Sequence, residues 1–339
     1  MSWKSNVLTL TLLSAVVFCQ SALAETTLAT VLDIEVANYV DYYNDVTDWS
    51  KLATDPNRTT VTQPRNFAQS IGMGDIVAVN GKPAKGMFTD SRTQLNGQVN
   101  PTAGQAIADG PRSSVHHRFF EILRPDGTLV GTIMTSGMGG GVPPPGAPSV
   151  MSDANFMITG GTGAFLGARG QAGGSRENDD LPAPRNASMT ENPANRRING
   201  GGRRHFVLHV MPLSRPEIVL TASGPGVVHA NDFTLVTTAK PARPGEVLSL
   251  ITTGLGPTQP GVDPGKPFPA SPLSLVNSPV DLTVNGQPAE VLYAGGYPGT
   301  TDTYQVNFRL PSGITPGLVS LQVGAAWIAG PEVKISVQQ

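Results

Sequence analysis

The sequence is poor in cysteine. Its one cysteine, Cys19, lies in an N-terminal segment that we expect to be removed, so the remaining chain has no thiol. This excludes a disulfide framework, a cysteine nucleophile and a thiolate metal site. Packed hydrophobic cores must then supply the stability, and a chain of 339 residues is long enough for two of them.

The sequence also has no large excess of charge of either sign. It contains 23 lysines and arginines against 25 aspartates and glutamates, a net charge of −2. This balance gives no electrostatic reason to expect binding to nucleic acid or to an anionic membrane surface. Outside the N-terminal segment, no apolar run reaches the ~20 residues that a membrane-spanning helix needs. We therefore expect no nucleic-acid partner and no membrane span.

The chain begins with a segment typical of an export signal. Lys4 is followed by an apolar stretch over residues 7–18 and then by Ala22-Leu23-Ala24, a small-x-small cleavage pattern. The apolar stretch, at about 12 residues, is too short to cross a bilayer. We expect a signal peptide over residues 1–24, cleavage after Ala24, and a protein that is secreted or periplasmic.

Glycine and proline are abundant, with 39 and 30 residues, which is typical of an all-β protein with many turns. Residues 28–43 fit both a strand and a helix, and we favour the strand. Strand patterns at 115–123 and 129–136 flank the turn residues Pro125-Asp126-Gly127. Residues 171–203 are polar and lack periodicity, which predicts a long loop that is functional or disordered.

The composition changes near Ser214. Residues 25–213 hold 16 Lys and Arg with 17 Asp and Glu, whereas residues 214–339 hold only 6 and 8. The second part contains short strand candidates separated by turns, a pattern typical of an immunoglobulin-like β-sandwich. The seven candidates are residues 233–237, 246–252, 280–284, 291–293, 304–308, 319–323 and 333–337. We predict that 25–213 and 214–339 are two domains that fold independently.

The segment ITGGTGAFLGARG, residues 158–170, is rich in glycine but does not match a nucleotide-binding loop. A dinucleotide loop requires Gly-x-Gly-x-x-Gly before a helix, and here Leu166 occupies the third glycine position with no helical pattern after it. We expect no cofactor. Gly160, Gly161 and Gly163 are instead expected to form a structural turn, through backbone conformations or a close strand approach that other residues do not permit.

The same segment resembles the GGTGxFxxARG signature of a bacterial branch of the allene oxide cyclase and dirigent proteins. DIVAVNGKPAKG (75–86) and FFEILRPDGTLVGTI (119–133) support this resemblance, which spans most of residues 25–213. The resemblance implies a β-barrel with a small apolar interior that holds an unsaturated or phenolic intermediate while it cyclises or couples. The chain departs from plant dirigent proteins at Leu166, where these often carry arginine, and it matches the signature at Arg169.

The second part of the chain resembles the immunoglobulin-fold IPT/TIG module found at the C-terminus of secreted bacterial proteins. The segments that carry this resemblance are PGEVLSLITTGLGPTQPG (244–261), VNGQPAEVLYAG (284–295) and YQVNFRLPSGI (304–314). The resemblance covers essentially all of residues 221–339. It implies an extracellular accessory or adhesion-type role.

Arg169 is the residue that we single out for ligand binding. It ends an otherwise apolar segment, so its charge must either reach solvent or be paired inside the barrel, because an unpaired buried charge is costly. Glu121 and Asp153 are the nearest plausible partners by strand order. An internal pair would orient a carboxylate or phenol of the ligand, whereas an external Arg169 would only connect strands. Glu121 is otherwise either a general base in a dry pocket or a surface residue.

The other polar clusters give no assigned site. His205 and His209 have the spacing of zinc ligands on a helix, but their segment alternates as a strand, which separates them by roughly 13 Å. His116 and His117 point to opposite strand faces. We therefore expect no metal and assign no catalytic residue. RRINGGGRR (196–204) is either an anion or glycan contact over the barrel mouth or, as we favour, a solvated loop.

Three functions remain open. The barrel is a module that binds a small apolar or phenolic ligand, or an isomerase or cyclase that confines its substrate, or a structural or adhesive envelope protein. A water-poor cavity with one buried carboxylate would favour the enzyme, and a barrel filled by its own side chains would favour the structural role. We expect ligand binding, with assembly into a homo-oligomer through the barrel as an accompanying hypothesis.

Overall fold

The computed structural model describes residues 30–44, 69–94, 114–139, 156–174 and 181–338. Within these ranges the protein is all-β, as the glycine and proline content predicts, with one short 3-10 helix at Pro193–Arg197. No helix among the described residues is long and apolar enough to cross a membrane. The predicted signal peptide lies outside the described ranges.

The strands of the first part form one sheet. They are β1 (Thr30–Asn44), β2 (Gln69–Val79), β3 (Lys82–Pro83), β4 (Lys85–Gln94), β5 (Ser114–Leu123), β6 (Leu129–Gly139), β7 (Phe156–Gly163), β8 (Arg169–Gly174), β9 (Arg185–Ser188) and β10 (Gly202–Met211). Eight of these described strands close into a barrel in the order β1-β2-β4-β5-β6-β7-β8-β10, and β10 pairs back with β1. The predicted β-barrel is therefore confirmed, as is the strand that we favoured at residues 28–43.

Alternating side chains fill the barrel. On β5 the even-numbered residues are buried, while the odd-numbered residues face outward. The same alternation on β4 and β10 brings Phe88, Phe120 and Phe206 into one hydrophobic core with Leu208 and Ile122. The rings of Phe88 and Phe206 stack with their centroids 4.4 Å apart. Each such buried side chain contributes about 1.5–3 kcal/mol to folding, so the centre of the barrel is a packed core.

The two ends of the barrel differ. At one end, which we call the closed end, short turns join β2 to β4, β5 to β6 and β7 to β8. At the other end, which we call the open end only because the described ranges are interrupted there, the strands reach Asn44, Gln94, Ser114, Gly139 and Phe156. Any inward residue near these five positions therefore lies at the open end.

The strands of the second part form two larger sheets and one short hairpin. They are β11 (Glu217–Ile218), β12 (Leu220–Thr221), β13 (Gly224–Pro225), β14 (Val227–His229), β15 (Val247–Thr253), β16 (Thr258–Gln259), β17 (Leu275–Val276), β18 (Val280–Val284), β19 (Gln287–Pro288), β20 (Glu290–Gly296), β21 (Thr303–Arg309), β22 (Gly317–Ala325), β23 (Ile328–Ala329) and β24 (Val333–Val337). One sheet is built around β15, β21 and β20, the other around β18, β22 and β24. A second hydrophobic core contains residues of both sheets, among them Leu250, Val306, Leu282 and Leu321.

Six of the seven strand candidates in this part are confirmed, and the candidate at 233–237 is wrong. There Leu235 makes only an isolated bridge to Val228. The cause is local turn chemistry. The Asp232 carboxylate accepts hydrogen bonds from the backbone N–H and the hydroxyl of Thr234, and Phe233 has a positive φ of 55°. These features favour a turn over an extended strand.

The second part of the chain covers the closed end of the barrel. The tight turn between β22 and β23 places Ala326 and Ile328 in the core of the barrel, with Trp327 packed against it. Lys82 of β3 also forms a 2.8 Å ion pair with Asp281 of β18. The predicted independence of the two domains stays a prediction, and these contacts show that a separated barrel would expose part of its own core.

The predicted long loop at 171–203 contains regular structure. Residues up to Gly174 belong to β8, and β9 runs parallel to β1. Ala187 and Met189 pack on Val40 and Tyr42, which face away from the interior of the barrel. The sequence did not indicate this strand and its packing, because only a few of the residues are apolar and the residues that they contact lie far away in the sequence.

A cluster of ion pairs holds residues 185–197, which lie outside the barrel, against strand β2. Arg196 and Arg197 of the 3-10 helix donate to the Asp75 carboxylate of β2 at 2.6 and 2.7 Å, and Asn38 donates at 2.9 Å. Burial raises the pKa of Asp75, but the hydrogen bonds from Arg197, Asn38 and Arg196 outweigh it, and the net pKa falls from 3.8 to about 2. The favoured interpretation of residues 196–204 as a solvated loop is wrong at Arg196, which is only 6% exposed.

Asp75→Asn is expected to loosen residues 185–197 at neutral pH. A lowered pKa in the folded state means that the ionised carboxylate stabilises the fold above pH 3.8, and this contribution is lost as the pH falls toward about 2. Amide hydrogen-exchange protection of β9 should therefore drop in the variant at pH 7, and in the wild type only near pH 2. Asp126→Asn, in the exposed turn after β5, is the matched control. Equal protection of β9 in Asp75→Asn and in the wild type at pH 7 would contradict the assignment.

Candidate functional site

A polar cluster faces inward at the open end of the barrel. Asp90 and Arg92 lie on β4, and Ser114, His116 and Arg118 lie on β5. Strand alternation places all five on the inner face, and antiparallel register puts Asp90 opposite Arg118 and Arg92 opposite His116. Two adjacent strands thus bring acid, base and hydroxyl side chains together directly beyond the aromatic core.

Asp90 is the centre of this cluster. Its side chain is 2% exposed, and both of its oxygens lie 3.0 Å from His116 Nδ1. Arg118 Nε donates to Asp90 at 3.3 Å, and Arg92 Nε lies 3.7 Å away. Arg92 also donates to Asp41 of β1. Each buried charge therefore has a partner of opposite charge, which offsets the cost of removing it from water.

Ser114 completes a chain of three groups. Its hydroxyl lies 2.7 Å from His116 Nε2, on the side of the ring opposite to Asp90. Gly139, directly across from Ser114 on β6, leaves room for this contact, because a Cβ there would lie 2.5 Å from His116 Nε2 and 3.0 Å from Ser114 Oγ. Ser114, His116 and Asp90 thus form a continuous hydrogen-bonded series.

Aromatic rings line the cluster. The guanidinium carbon of Arg118 lies 3.8 Å from the centre of the Phe156 ring, a cation–π contact, and 5.3 Å from that of Phe206. The His116 ring meets Phe156 edge-on, with centroids 5.1 Å apart. Tyr39 packs against Phe88 of the barrel core. The site therefore combines charged groups with flat apolar walls.

Burial controls the protonation of the site. It lowers the pKa of His116 below the ordinary 6.5, and the hydrogen bond to Asp90 opposes only part of this effect. His116 is therefore neutral at pH 7. Asp90 accepts a hydrogen bond from the protonated Nδ1 of the neutral ring. Nε2 therefore carries no proton and accepts a hydrogen bond from the Ser114 hydroxyl. Burial also raises the pKa of Tyr39, which keeps its hydroxyl protonated.

Two buried hydroxyls lie beside the arginines. By strand register, Ser70 is opposite Arg92 and Thr135 is opposite Arg118. They are 1% and 2% exposed, and neither hydroxyl has a hydrogen-bond partner within the described part of the chain. A buried hydroxyl without a partner costs about 1–3 kcal/mol, so each of these two needs an acceptor or donor such as an ordered water or a bound ligand.

The structure does not bring the sequence-predicted site residues together. Arg169 is exposed on the outer face of β8, and its guanidinium donates to the carbonyls of Thr159 and Ala168 at 3.0 and 2.9 Å. Glu121 is half-buried on the outer face of β5, with β6 and β7 between it and β8. Asp153 lies outside the described residues. Arg169 therefore lies outside the barrel interior, where it connects β8 with β7.

The glycine segment forms a strand, a turn and a second strand. Phe165 N donates to Thr162 O, and Ala168 N donates to Phe165 O. Gly163 has a φ of +62°, and a Cβ at Gly161 would lie 2.5 Å from two backbone oxygens. Residues 158–170 thus contain no helix that could bind a pyrophosphate, and both glycines lie at the end of β7, where a side chain would meet backbone oxygens or an unfavourable φ.

The signal for the polar cluster was present in the sequence. Strand alternation on SVHHRFFEIL puts His116, Arg118 and Phe120 on one face, and the sequence interpretation separated this face from that of Glu121. Nothing in the local sequence shows which of these two faces is inside the barrel, so the sequence does not distinguish Glu121 from the residues of the buried face. Asp90 was missed because its partners on β5 lie across the 95–113 interval of the chain.

The described residues contain no group of three His, Cys, Asp or Glu side chains arranged to hold a metal ion. His205 instead lies 3.3 Å from Asp33 and 3.8 Å from Glu35.

No protein-family model matches the sequence, and no curated protein matches it as a relative. The function must therefore be argued from the geometry of the site.

Proposed function

We propose that the open end of the barrel binds a small aromatic or unsaturated molecule that carries an acidic group, such as a carboxylate or a phenol. The observation that supports this most is the inward polar cluster bordered by phenylalanine rings. Its charged side supplies donors for an acidic group, and its rings supply a flat apolar surface.

The charge balance of the interior supports an anionic ligand. Among the described residues, the inward guanidinium groups at the open end belong to Arg92, Arg118 and Arg204, and the inward carboxylates belong to Asp41 and Asp90. His116 is neutral, so the cluster carries a net positive charge. Arg204 is half-buried on β10 and acts electrostatically on Tyr39 and Arg92. A bound carboxylate would balance the excess charge.

The apolar side of the site supports an aromatic ligand. The Phe156 and Phe206 rings surround the Arg118 guanidinium, with their centres 3.8 and 5.3 Å from its carbon, so a ligand whose acidic group reaches Arg118 would contact apolar ring carbons. The partnerless hydroxyls of Ser70 and Thr135 would be donors to the same ligand. The closed half of the barrel is filled by its own side chains, which confines the ligand to the open half.

The fold and the glycine turn support a proposed family assignment. We propose that residues 25–213 form an allene oxide cyclase/dirigent-like barrel and that residues 214–339 form an IPT/TIG-like immunoglobulin module. The closed eight-stranded barrel, with the GGTG glycines at the end of β7 directly before the turn into β8, supports the first assignment. The two packed sheets support the second. Export after Ala24 and assembly into a homo-oligomer remain hypotheses.

Arg204→Leu is expected to weaken binding of 4-hydroxycinnamate at least about tenfold, because a charge-assisted hydrogen bond contributes about 1.5–3 kcal/mol. Isothermal titration calorimetry on the full chain measures the change. Arg204 is a better position than Arg118, since loss of Arg118 would leave part of the charge on Asp90 uncompensated. Arg169→Leu is the matched control, because Arg169 lies on the outer face.

Equal affinities of Arg204→Leu and Arg169→Leu would place the ligand elsewhere. If the wild type binds neither 4-hydroxycinnamate nor cinnamate, and native mass spectrometry shows no small molecule bound to the purified protein, the structural or adhesive role replaces ligand binding. The isomerase or cyclase role is the second candidate, and the buried carboxylate of Asp90 favours it. Conversion of a bound unsaturated probe would support that role.

A further inference from the structure

We propose that Ser114, His116 and Asp90 form a nucleophilic site that cleaves small esters by acyl transfer. Ser114 Oγ lies 2.7 Å from His116 Nε2, and His116 Nδ1 lies 3.0 Å from the Asp90 carboxylate. In this order the imidazole takes the proton of the hydroxyl, and the carboxylate orients the ring and stabilises its charged form. The inference goes beyond ligand binding, because it assigns a covalent step.

The local structure holds the three groups in this geometry. Ser114 and His116 are two residues apart on β5 and therefore point to the same face. Phe156 packs against the imidazole edge, and Asp90 fixes the ring from the other side. A side chain at position 139 would collide with His116 Nε2, so Gly139 preserves the hydroxyl–imidazole contact.

The surroundings suit the charges that the reaction develops. Attack of the serine oxygen on a carbonyl produces a negative tetrahedral intermediate and a positive imidazole. Burial is the main reason that the pKa of His116 is lowered, and the nearby charges of Arg118 and Arg92 lower it further; the same positive charge favours the intermediate. Asp90 in turn favours the imidazolium. The phenylalanine rings beside Arg118 favour an ester with an aromatic or unsaturated acyl group.

The reaction proceeds in two balanced steps. Ser114 Oγ bonds to the carbonyl carbon and its proton moves to His116 Nε2. The carbon–oxygen bond to the alcohol breaks, and the alcohol leaves with that proton. Water then attacks the acyl-serine and gives a proton to His116. The acid leaves as the ester bond to Ser114 breaks, and the proton returns to Ser114 Oγ. No oxidant or cofactor is consumed.

The outer face of the same sheet provides a matched control, on β5 and β6. Ser136 Oγ of β6 lies 3.2 Å from His117 Nδ1 of β5, and His117 is exposed. This pair has the hydroxyl and the imidazole but lies on the opposite face of the sheet from Asp90. If a serine–histidine contact alone gave reactivity, both serines would react. If the buried carboxylate matters, only Ser114 should react.

The test is to treat the full chain with a fluorophosphonate and follow intact mass and peptide fragments. We expect one phosphonyl group per chain, on Ser114. Ser114→Ala should abolish the label, Ser136→Ala should retain it, and His116→Gln should slow both labelling and hydrolysis of 4-nitrophenyl cinnamate by about 1,000-fold or more. Circular dichroism and the Tm establish that each variant folds.

Labelling at Ser136, equal labelling of several serines, or no labelling of the wild type would overturn the proposal. These outcomes need only the wild type, so they hold even where a variant does not fold. The binding proposal is tested separately by calorimetry. Binding of 4-hydroxycinnamate without labelling of Ser114 would overturn the acyl-transfer proposal alone, and labelling without binding would overturn the binding proposal alone.

Discussion

Asp90→Asn is expected to lower the free energy of unfolding of the barrel by about 3–5 kcal/mol. The substitution keeps the shape of the side chain but removes its charge. Arg118 then keeps its guanidinium in a position that is 6% exposed, beside a neutral amide, and Arg92 keeps its pair with Asp41. His116 also loses the charged acceptor that orients its ring and keeps only a neutral amide oxygen in its place. The loss is large because the remaining charges cannot reach water.

Urea unfolding at pH 7, followed by circular dichroism, measures this effect. Asp281→Asn is the matched control, since Asp281 forms a 2.8 Å ion pair with Lys82 in which the two side chains are 45% and 59% exposed. Solvent screens that pair, and we expect a loss of about 0–1 kcal/mol. Similar losses in the two variants would show that the buried network does not hold the open end of the barrel together.

Gly161→Ala is expected to destabilise the barrel by about 3 kcal/mol or more. The added Cβ would lie 2.5 Å from the carbonyl oxygens of Phe165 and Thr132, which are backbone atoms of the turn after β7 and of the neighbouring strand β6, so it cannot be accommodated without distorting that turn or the pairing of β6 with β7. Overpacking of a rigid site costs about 1–3 kcal/mol, and a clash with backbone on two sides lies at the upper end or above. The melting temperature and the urea midpoint should both fall.

Gly160→Ala provides the control one residue earlier in the same motif. A Cβ there would meet only Arg169 Nη1, at 3.8 Å, which is an ordinary contact. We expect a change within about 0.5 kcal/mol. Gly163→Ala should resemble Gly161→Ala, because its φ of +62° disfavours a side chain. A loss in Gly160→Ala as large as that in Gly161→Ala would contradict a role based on close backbone approach.

Patterns with a local physical cause could be predicted from the sequence. Alternation on residues 115–123 and 129–136 and the turn at residues 125–127 specified β5, β6 and their hairpin, because side chains on a strand alternate whatever lies beyond it. The same argument separated the His116 and His117 faces. It failed at residues 233–237, where one aspartate side chain created a turn.

The candidate site could not be predicted, because its choice depends on which strand face is buried. Glu121 and Arg118 are equally polar in the sequence, and only closure of the barrel turns Arg118 inward and Glu121 outward. Arg169 illustrates the same point. Its apolar neighbours left an internal and an external position equally open, and the structure places its side chain on the outer surface, where backbone carbonyls accept its hydrogen bonds.

The sequence by itself determined the all-β class, the β5–β6 hairpin and six strands of the second part, since these follow from side-chain period and turn chemistry among near neighbours. Only the tertiary structure decided that Ser114, His116 and Asp90 meet, and that Asp75 holds Arg196 and Arg197. These groups come from separate strands or from distant segments. Their contacts exist because barrel closure sets the register and the inward face, and neither property is encoded within any single segment.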